Sequence, residues 1–546
     1  MKVGLLTYYT YDPHESLAHV RSTTAQALAR DHDLVPYPKD YPFASPPRQR
    51  ELLKEWLCGC DVVVGSLDGS FLEARQDISR PIPYICLLLG QMSRGASGMI
   101  WAHERLNTYD VLVGNCHADV ALTKKFFPNS TTYCLPFAYD ESAYYPVDRH
   151  AARAKLGIDD DSPLFVYAGR ITLEKNLHTL LKAFRIVANV SPQAKLLIAG
   201  AEVSAPFREF GVFPLGIRRT LERLIAHLKF NDDQVLFAGN QTANQLREIY
   251  NAADALVNLT LHHDENFGLV QVEAMACGLP TIGSAWGGLR DTILPGVTGE
   301  HIRAVITPIG VKVDWWQAAN KMISLLARTP HNQKLRQQCV DRAREHYSME
   351  RYQTSLTGLL CHSVRLASEK PQPVCASKFA RDYWGTFVAN SDAGHLNNGK
   401  ASHQQGSESW NFYRDLVSLF AAPEQEGHQS RKRLGWCLAA PLKMQQGNSV
   451  VVNDPIYPFE VEAPLYLAGP VRCLINQFSD QPVIDSAAFR GAERDVASGL
   501  IWMHDTGLLI RTEIDGCDVR LANGALGKPV FAIKAVDQET DVVCFV

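Results

Sequence analysis

Short apolar runs that alternate with helical stretches are what most narrows the folds open to this chain. Val3-Gly4-Leu5-Leu6, Val62-Val63-Val64-Gly65, residues 83–89 and Val111-Leu112-Val113 are each a few residues long, and residues 20–29 between the first two have helical spacing. A strand buried on both faces carries such an unbroken apolar run, and a helix between successive strands makes them parallel. Residues 1–147 are therefore expected to form a Rossmann-like half, a parallel sheet covered by helices. Residues 135–146 read as a hinge, and the alternation resumes beyond it. Strands at 164–168, 195–200, 235–239 and 255–259, with helices at 151–156, 177–188 and 243–252, predict a second half over 148–347.

Composition sets the outer limits. The 546 residues allow about three or four domains, and 46% hydrophobic content fills ordinary cores. A net charge of −4, with 21% charged residues and no long basic run, argues against nucleic acid and against a polybasic membrane surface. The thirteen cysteines are scattered, and Cys58 and Cys60 stand too isolated for a metal site or a disulfide framework, which fits reduced thiols in the cytoplasm. The apolar start of the chain runs into Tyr8, Tyr9 and Tyr11 instead of a small-residue cleavage site, so it reads as a first strand. No apolar run reaches the ~18 residues that span a bilayer, so no transmembrane segment is expected and any membrane contact would be peripheral. Small molecules or proteins are the expected partners.

Chemistry concentrates in two stretches. Residues 262–291 carry Glu265 in a loop and Glu273 on a helix, seven residues intervening, with Gly268 near the start of that helix. A helix opening there would present the N–H groups of Gly268, Leu269 and Val270 to an anion, with the positive end of the helix dipole behind them. Glu265, just ahead of the helix, could accept hydrogen bonds from sugar hydroxyls, and Glu273, at ~1.5 Å rise per residue, could reach a ribose diol. Taken singly, Glu265 reads better as an ordinary helix cap and Glu273 as a solvated face residue. The second stretch is Gly169-Arg170-Ile171-Thr172-Leu173-Glu174-Lys175-Asn176, between a strand and an amphipathic helix. A glycine turn carrying two cations suits a diphosphate leaving group, because backbone can approach closely and fixed positive charge gains value as the bond breaks.

Together these residues resemble the donor-site signature of retaining glycosyltransferases of family 4, which have the GT-B fold. The signature is found in Glu265-Asn266-Phe267-Gly268, then Glu273-Ala274-Met275-Ala276-Cys277-Gly278-Leu279-Pro280, then Gly287-Gly288 and Asp291. The family's Gly-Arg, four residues, Lys-Asn pattern is found in Gly169-Arg170 and Lys175-Asn176. The resemblance covers about residues 1–365. It implies an α/β chain of two Rossmann-like domains facing a cleft, the first completed by a helix at about 348–366. It further implies Arg170, Lys175 and Glu265 as catalytic residues, with Gly169, Asn266, Phe267, Gly268, Leu269, Val270 and Glu273 as donor contacts. The donor substrate would be a UDP- or GDP-linked sugar, the acceptor a hydroxyl on a glycan, lipid, small molecule or peptide, and no metal or cofactor would be needed.

Two departures lie on the acceptor side. The family's Gly-Gly after the first strand falls here on His14-Glu15, and the histidine that ends a later strand is replaced by Leu87-Leu88-Leu89-Gly90-Gln91. A carboxylate at Glu15 would repel a diphosphate unless it turns away or meets an acceptor hydroxyl. His14, Glu15 and His117 are the acceptor-side candidates, with His19 and His103 behind them and Asn240 and Gln241 as candidate base contacts. Each histidine is equally read as solvated or structural. A sugar-nucleotide epimerase or hydrolase on the same scaffold, or a non-catalytic sugar-nucleotide-binding protein, is the alternative reading.

Residues 390–409 hold almost no large apolar side chain and read as a flexible segment within a linker of 367–425 that carries helices, one of them at 410–419. Residues 426–546 have a core pattern of their own, including 464–467, 471–478 and 542–546. They are expected to form a small C-terminal α+β domain in which helices precede short strands, and 492–510 resembles the second helix and wing of a winged-helix fold. Glu493, Asp495, Asp505 and Glu513 argue against DNA there, leaving a protein or peptide partner or a structural role.

Overall fold

The computed structural model describes residues 1–6, 15–89, 92, 98–172, 175–202, 217–261, 265–307, 310–327, 333–384, 414–415, 418–421, 434–438, 442–444, 448–452, 459–463, 465–480, 483–485, 494–506 and 508–513. Six parallel strands make the first sheet, in the order Asp33–Val35, Lys2–Leu5, Val62–Ser66, Tyr84–Leu87, Val111–Gly114, Thr131–Cys134. The central strands are buried on both faces, as their unbroken valine and isoleucine runs require, whereas Asp33–Val35 and Thr131–Cys134 lie at the edges and are partly exposed. A buried ion pair fixes the starts of strands Tyr84–Leu87 and Val111–Gly114. The Arg75 guanidinium reaches both Asp110 oxygens at 2.7 and 2.9 Å, and Asp110 also accepts from the N–H groups of Tyr84 and Asn107.

The second sheet is also parallel and runs Gly299–Ile302, Thr281–Ser284, Ala255–Asn258, Leu164–Ala168, Lys195–Ala199, Val235–Gly239. Its order reverses between Leu164–Ala168 and Ala255–Asn258. Open α/β sheets bind ligands beyond the carboxyl ends of the strands that flank such a reversal. In the first sheet the corresponding reversal lies between Lys2–Leu5 and Val62–Ser66, which directs attention to the loop following Leu5.

The two sheets are joined twice. Along the chain, the Tyr139 N–H bonds the Tyr347 carbonyl at 3.1 Å and the Val147 N–H bonds Asn251 Oδ1 at 2.8 Å. The chain then returns through helix Met349–Leu366, capped by Ser348, which packs on helix Glu15–Asp31 of the first domain. Tyr352 hydroxyl and Thr24 Oγ1 meet at 2.8 Å between those helices. Residues 372–384 stay on the first domain: the Thr108 N–H bonds the Gln372 carbonyl at 2.8 Å, and Phe379, Tyr383 and Trp384 surround Phe126.

Beyond that point the structure departs from the expected order. Strands come first, with Leu434–Leu438 central in a sheet between Val483–Asp485 and Leu509–Glu513, and Leu442–Met444, Ser449–Val452 and Phe459–Glu462 forming a separate meander. Helices Ala468–Asp480 and Arg494–Asp505 follow and pack on each other. Helix Arg494–Asp505 and strand Leu509–Glu513 occupy the stretch read as second helix and wing, but among the described residues that strand pairs with Leu434–Leu438, some seventy residues earlier. The apolar run at 465–467 is a single 3₁₀ turn with Leu465 and Tyr466 80% and 77% exposed, and only Leu467 enters the core. Of the helix expected at 410–419, residues 414–415 are helical, 418–420 form a turn, and 410–413 lie outside the described residues, as does the strand expected at 542–546.

Candidate functional site

The two chemical stretches leave adjacent strands at the reversal of the second sheet. Leu164–Ala168 runs into Gly169, whose φ of 139° only glycine adopts freely, and Gly200 lies so close that a Cβ there would sit 1.8 Å from the Gly169 carbonyl oxygen. The Tyr167 hydroxyl donates to the Arg170 carbonyl at 2.7 Å, holding the turn that carries Arg170. Ala255–Asn258 leads towards Glu265. Asn176, in the left-handed region at φ 60° and buried, donates through Nδ2 to the Leu259 carbonyl at 3.0 Å and so ties one stretch to the other. Above that tie Lys175 and Glu265 form an ion pair, with side chains only 15% and 10% exposed. Residues ninety positions apart are thus brought together at the strand reversal of the second sheet, a place the topology offers a ligand.

Gly268 opens helix Leu269–Ala276 at φ 83°. The first turn points the N–H groups of Leu269 and Val270 away from any helical acceptor. Gln271 on the same turn is fully buried, and neither atom of its amide has a partner among the described residues. Phe267 turns inward, edge-on to Phe137 at 5.4 Å and to Tyr347 at 5.6 Å. It anchors the loop at the hinge. Asn266 reaches across to the first domain, donating to Asn115 Oδ1 at 3.1 Å. Gly287 and Gly288 lie against the same loop: the Gly288 N–H bonds the Glu265 carbonyl at 2.8 Å, and a Cβ on Gly288 would meet the Phe267 backbone at 2.4 Å.

Glu273 is 8% exposed and sits beneath the hinge. Burial pushes its carboxyl up to about 8, with the Asp140 carboxylate adding to the rise and the facing hydroxyls of Tyr144 and Tyr250 opposing it. A neutral carboxyl can both donate and accept hydrogen bonds, which an ionised one cannot.

The acceptor-side candidates scatter. His14 and Gln91 lie outside the described residues, and Glu15 begins helix Glu15–Asp31 at a position whose side chain is not described. His19 Nε2 bonds the Ala138 carbonyl at 2.9 Å and steadies the hinge. His103 Nδ1 bonds the Met99 carbonyl at 2.8 Å. His117 begins helix His117–Phe126 with its side chain 82% exposed, and Asp291 of the second domain accepts from its backbone N–H at 2.6 Å while lying 3.1 Å from Nδ1. A carboxylate there suits the positive end of the helix and clasps the two domains together. Cys134 completes a trio of donor atoms within 4.8 Å of one another, but burial, with Asp291 and Asp119 close by, pushes its thiol up to about 12 and keeps it protonated. Asn240 and Gln241 follow the edge strand Val235–Gly239, two strands from the reversal, and Gln241 Nε2 bonds the Ala238 carbonyl at 2.6 Å. Asn115, Tyr144 and Tyr250 were not legible as site neighbours, since each gains its place from a contact made across more than a hundred residues or through burial alone.

Residues 148–346 match the family model of group 1 glycosyl transferases. The D-inositol 3-phosphate glycosyltransferase of Segniliparus rotundus is 36% identical over 165 residues, 30% of this chain and 34% of that protein. The Stackebrandtia nassauensis protein of the same name is 27% identical over 272 residues, 49% of this chain and 58% of that protein. The chain therefore spans from about a third to just over half of the curated relatives it matches. Among solved structures, the sucrose-phosphate synthase of Thermosynechococcus elongatus superposes with a TM-score of 0.53 at 20% identity, covering 67% of this chain and 100% of that one. Anabaena HepE in complex with UDP-glucose gives 0.50 at 16% identity, over 66% and 99% of the two chains. The two Rossmann-like domains thus form a GT-B architecture.

Proposed function

We propose that this chain is a retaining glycosyltransferase of family 4 type, independent of metal ions, that moves a sugar from a UDP- or GDP-linked donor to a hydroxyl acceptor. The pairing of Lys175 with Glu265 at the strand reversal carries this reading, since it joins a cation suited to phosphate with an acid suited to sugar hydroxyls. The match over residues 148–346 and the names of the relatives support glycosyl transfer, and the UDP-glucose bound to HepE supports a nucleotide sugar as donor.

In this reading the diphosphate lies against Gly169, Arg170, Lys175 and the amides opening helix Leu269–Ala276, with the sugar against Glu265 and the ribose towards Glu273. The bond between the anomeric carbon and the phosphate oxygen breaks, and negative charge gathers on the diphosphate. Lys175 and Arg170 meet that charge as it develops, so they stabilise the transition state more than the bound donor. The acceptor hydroxyl attacks the face the phosphate leaves and gives its proton to the departing phosphate oxygen, which retains the configuration without a nucleophile from the protein. Closure of the domains, clasped by Asp291 on His117 and by Asn266 on Asn115, excludes water that would otherwise hydrolyse the donor.

Incubation of the purified protein with a panel of UDP- and GDP-sugars, followed by mass spectrometry, tests the proposal. One donor should be consumed in the presence of an acceptor, and Lys175→Ala or Glu265→Gln should each lower turnover by about 10²–10³ with the fold intact. Wild-type turnover in either variant would remove these assignments.

A further inference from the structure

Residues 418–421 come from the part of the chain beyond the two Rossmann-like domains, yet they lie against the Trp286–Arg290 turn, which packs on the loop that carries Glu265. The Gly287 N–H bonds the Phe420 carbonyl at 2.9 Å, Trp286 and Ala421 form an antiparallel bridge, and the Arg290 guanidinium donates to the Leu419 carbonyl at 2.9 Å and the Phe420 carbonyl at 3.3 Å. The Phe420 ring stacks on Trp286 at 5.4 Å, and both side chains are fully buried. Trp286, Phe420 and Ala421 belong to the same apolar cluster as Leu88, Met92 and Met99 of the first domain. A few residues earlier, Asp415 lies 3.9 Å from Lys125 of the first domain. The segment therefore spans the junction between the domains.

What it holds decides its role. Gly287 and Gly288 are pressed on the Glu265–Phe267 backbone so closely that a Cβ on Gly287 would sit 2.3 Å from the Glu265 carbonyl oxygen. The Gly288 N–H bonds that same carbonyl, while the preceding N–H, from Gly287, bonds Phe420. The glycine pair is thus fixed on one side by Phe420 and on the other fixes Glu265.

We propose that residues 418–421 are a positioning strap for the donor loop, and that Phe420 is its principal positioning residue: it sets the Gly287–Gly288 turn and, through it, the placement of Glu265. The proposal rests on the donor site described above only for its consequence on sugar binding. Phe420 touches no substrate in this account and acts through the glycine pair. The C-terminal third of the chain thereby reaches the donor site in cis, and whatever moves this segment alters the grip on the sugar while leaving the diphosphate turn at Gly169 in place.

The test uses the full chain. Phe420→Ala removes the stacked ring, Arg290→Ala removes the clamp on the strap's carbonyls, and Phe420→Leu keeps most of the buried apolar volume. In the ligand-free proteins, amide hydrogen exchange should quicken by about tenfold or more in peptides covering both 285–290 and 265–268 in the first two variants, and should stay near wild type in Phe420→Leu. Affinities are then measured for UDP-glucose against UDP, and for GDP-mannose against GDP. The loss should fall on the nucleotide sugar and spare the nucleoside diphosphate, a split that general loosening of the fold would not produce. Unchanged exchange at 265–268, or an equal loss for nucleotide sugar and nucleoside diphosphate, would overturn the proposal. If exchange changes as expected while the wild type binds neither nucleotide sugar, the donor reading falls and the strap's hold on the loop stands.

Discussion

Glu273 offers a prediction whose size follows from the structure. Its carboxyl moves from an ordinary 4.5 to about 8 on folding, chiefly through burial beneath the hinge. Between those two values the folded chain keeps a proton that the unfolded chain releases, so the folded state binds more protons and stability falls as pH rises. The fall begins above the unfolded value, near 4.5, and levels off above about 8. A shift of that extent corresponds to a loss on the order of 5 kcal/mol across the whole window. Glu273→Gln keeps the shape and the polar contacts but cannot ionise, so it escapes this loss. Urea unfolding followed by tryptophan fluorescence, with wild type and variant side by side at about pH 5, 6.5 and 8, isolates the effect, because every other titrating group cancels in the difference. The variant should be no more stable than wild type at the acid end and should gain by several kcal/mol at the alkaline end. A difference that stays constant across the window would show that the carboxyl is not held in its neutral form, and the account of its burial would be wrong.

Two further substitutions test the framework of the site. Asp110→Ala leaves the Arg75 guanidinium buried without its bidentate partner and should cost about 3–5 kcal/mol, read as a lowered urea midpoint; a loss below about 1 kcal/mol would mean the pair is dispensable. Gly288→Ala forces a Cβ to within 2.4 Å of the Phe267 backbone and should lower donor turnover at least tenfold, whereas Gly358→Ala, with open space around it on an outer helix, should be neutral or slightly stabilising. Equal effects from the two alanines would contradict the close packing of the glycine pair on the donor loop.

Much of the fold was legible in the sequence because the central strands of both sheets are buried on two faces, and a strand so placed has to be an unbroken apolar run such as Val62-Val63-Val64 or Leu164-Phe165-Val166. The two chemical stretches were legible for a related reason. Gly169, Gly268 and the charges beside them are short-range features, fixed by backbone conformations that few residues adopt. What escaped was set by distant contacts. Asp291 reads only as the closing acid of the signature until His117 is placed opposite it, and Phe420 reads as linker until its carbonyl is seen on Gly287. The burial of Glu273 is not legible either, because nothing local reveals that Tyr144 and Tyr250 lie beside its carboxyl. The C-terminal third misled through Leu465-Tyr466-Leu467, an apolar run that looks like core but mostly faces solvent. Its sheet is built from strands far apart in sequence, a pairing that periodicity alone does not encode.

The central claim is that Lys175 and Glu265 hold the two halves of one activated sugar, the cation its diphosphate and the acid its hexose. Calorimetric titration of wild type, Lys175→Ala and Glu265→Gln with the consumed nucleotide sugar and with its nucleoside diphosphate separates those roles most directly. The account predicts that losing Lys175 weakens both ligands and that losing Glu265 weakens the nucleotide sugar alone. Binding of both ligands by both variants with wild-type affinity would contradict it.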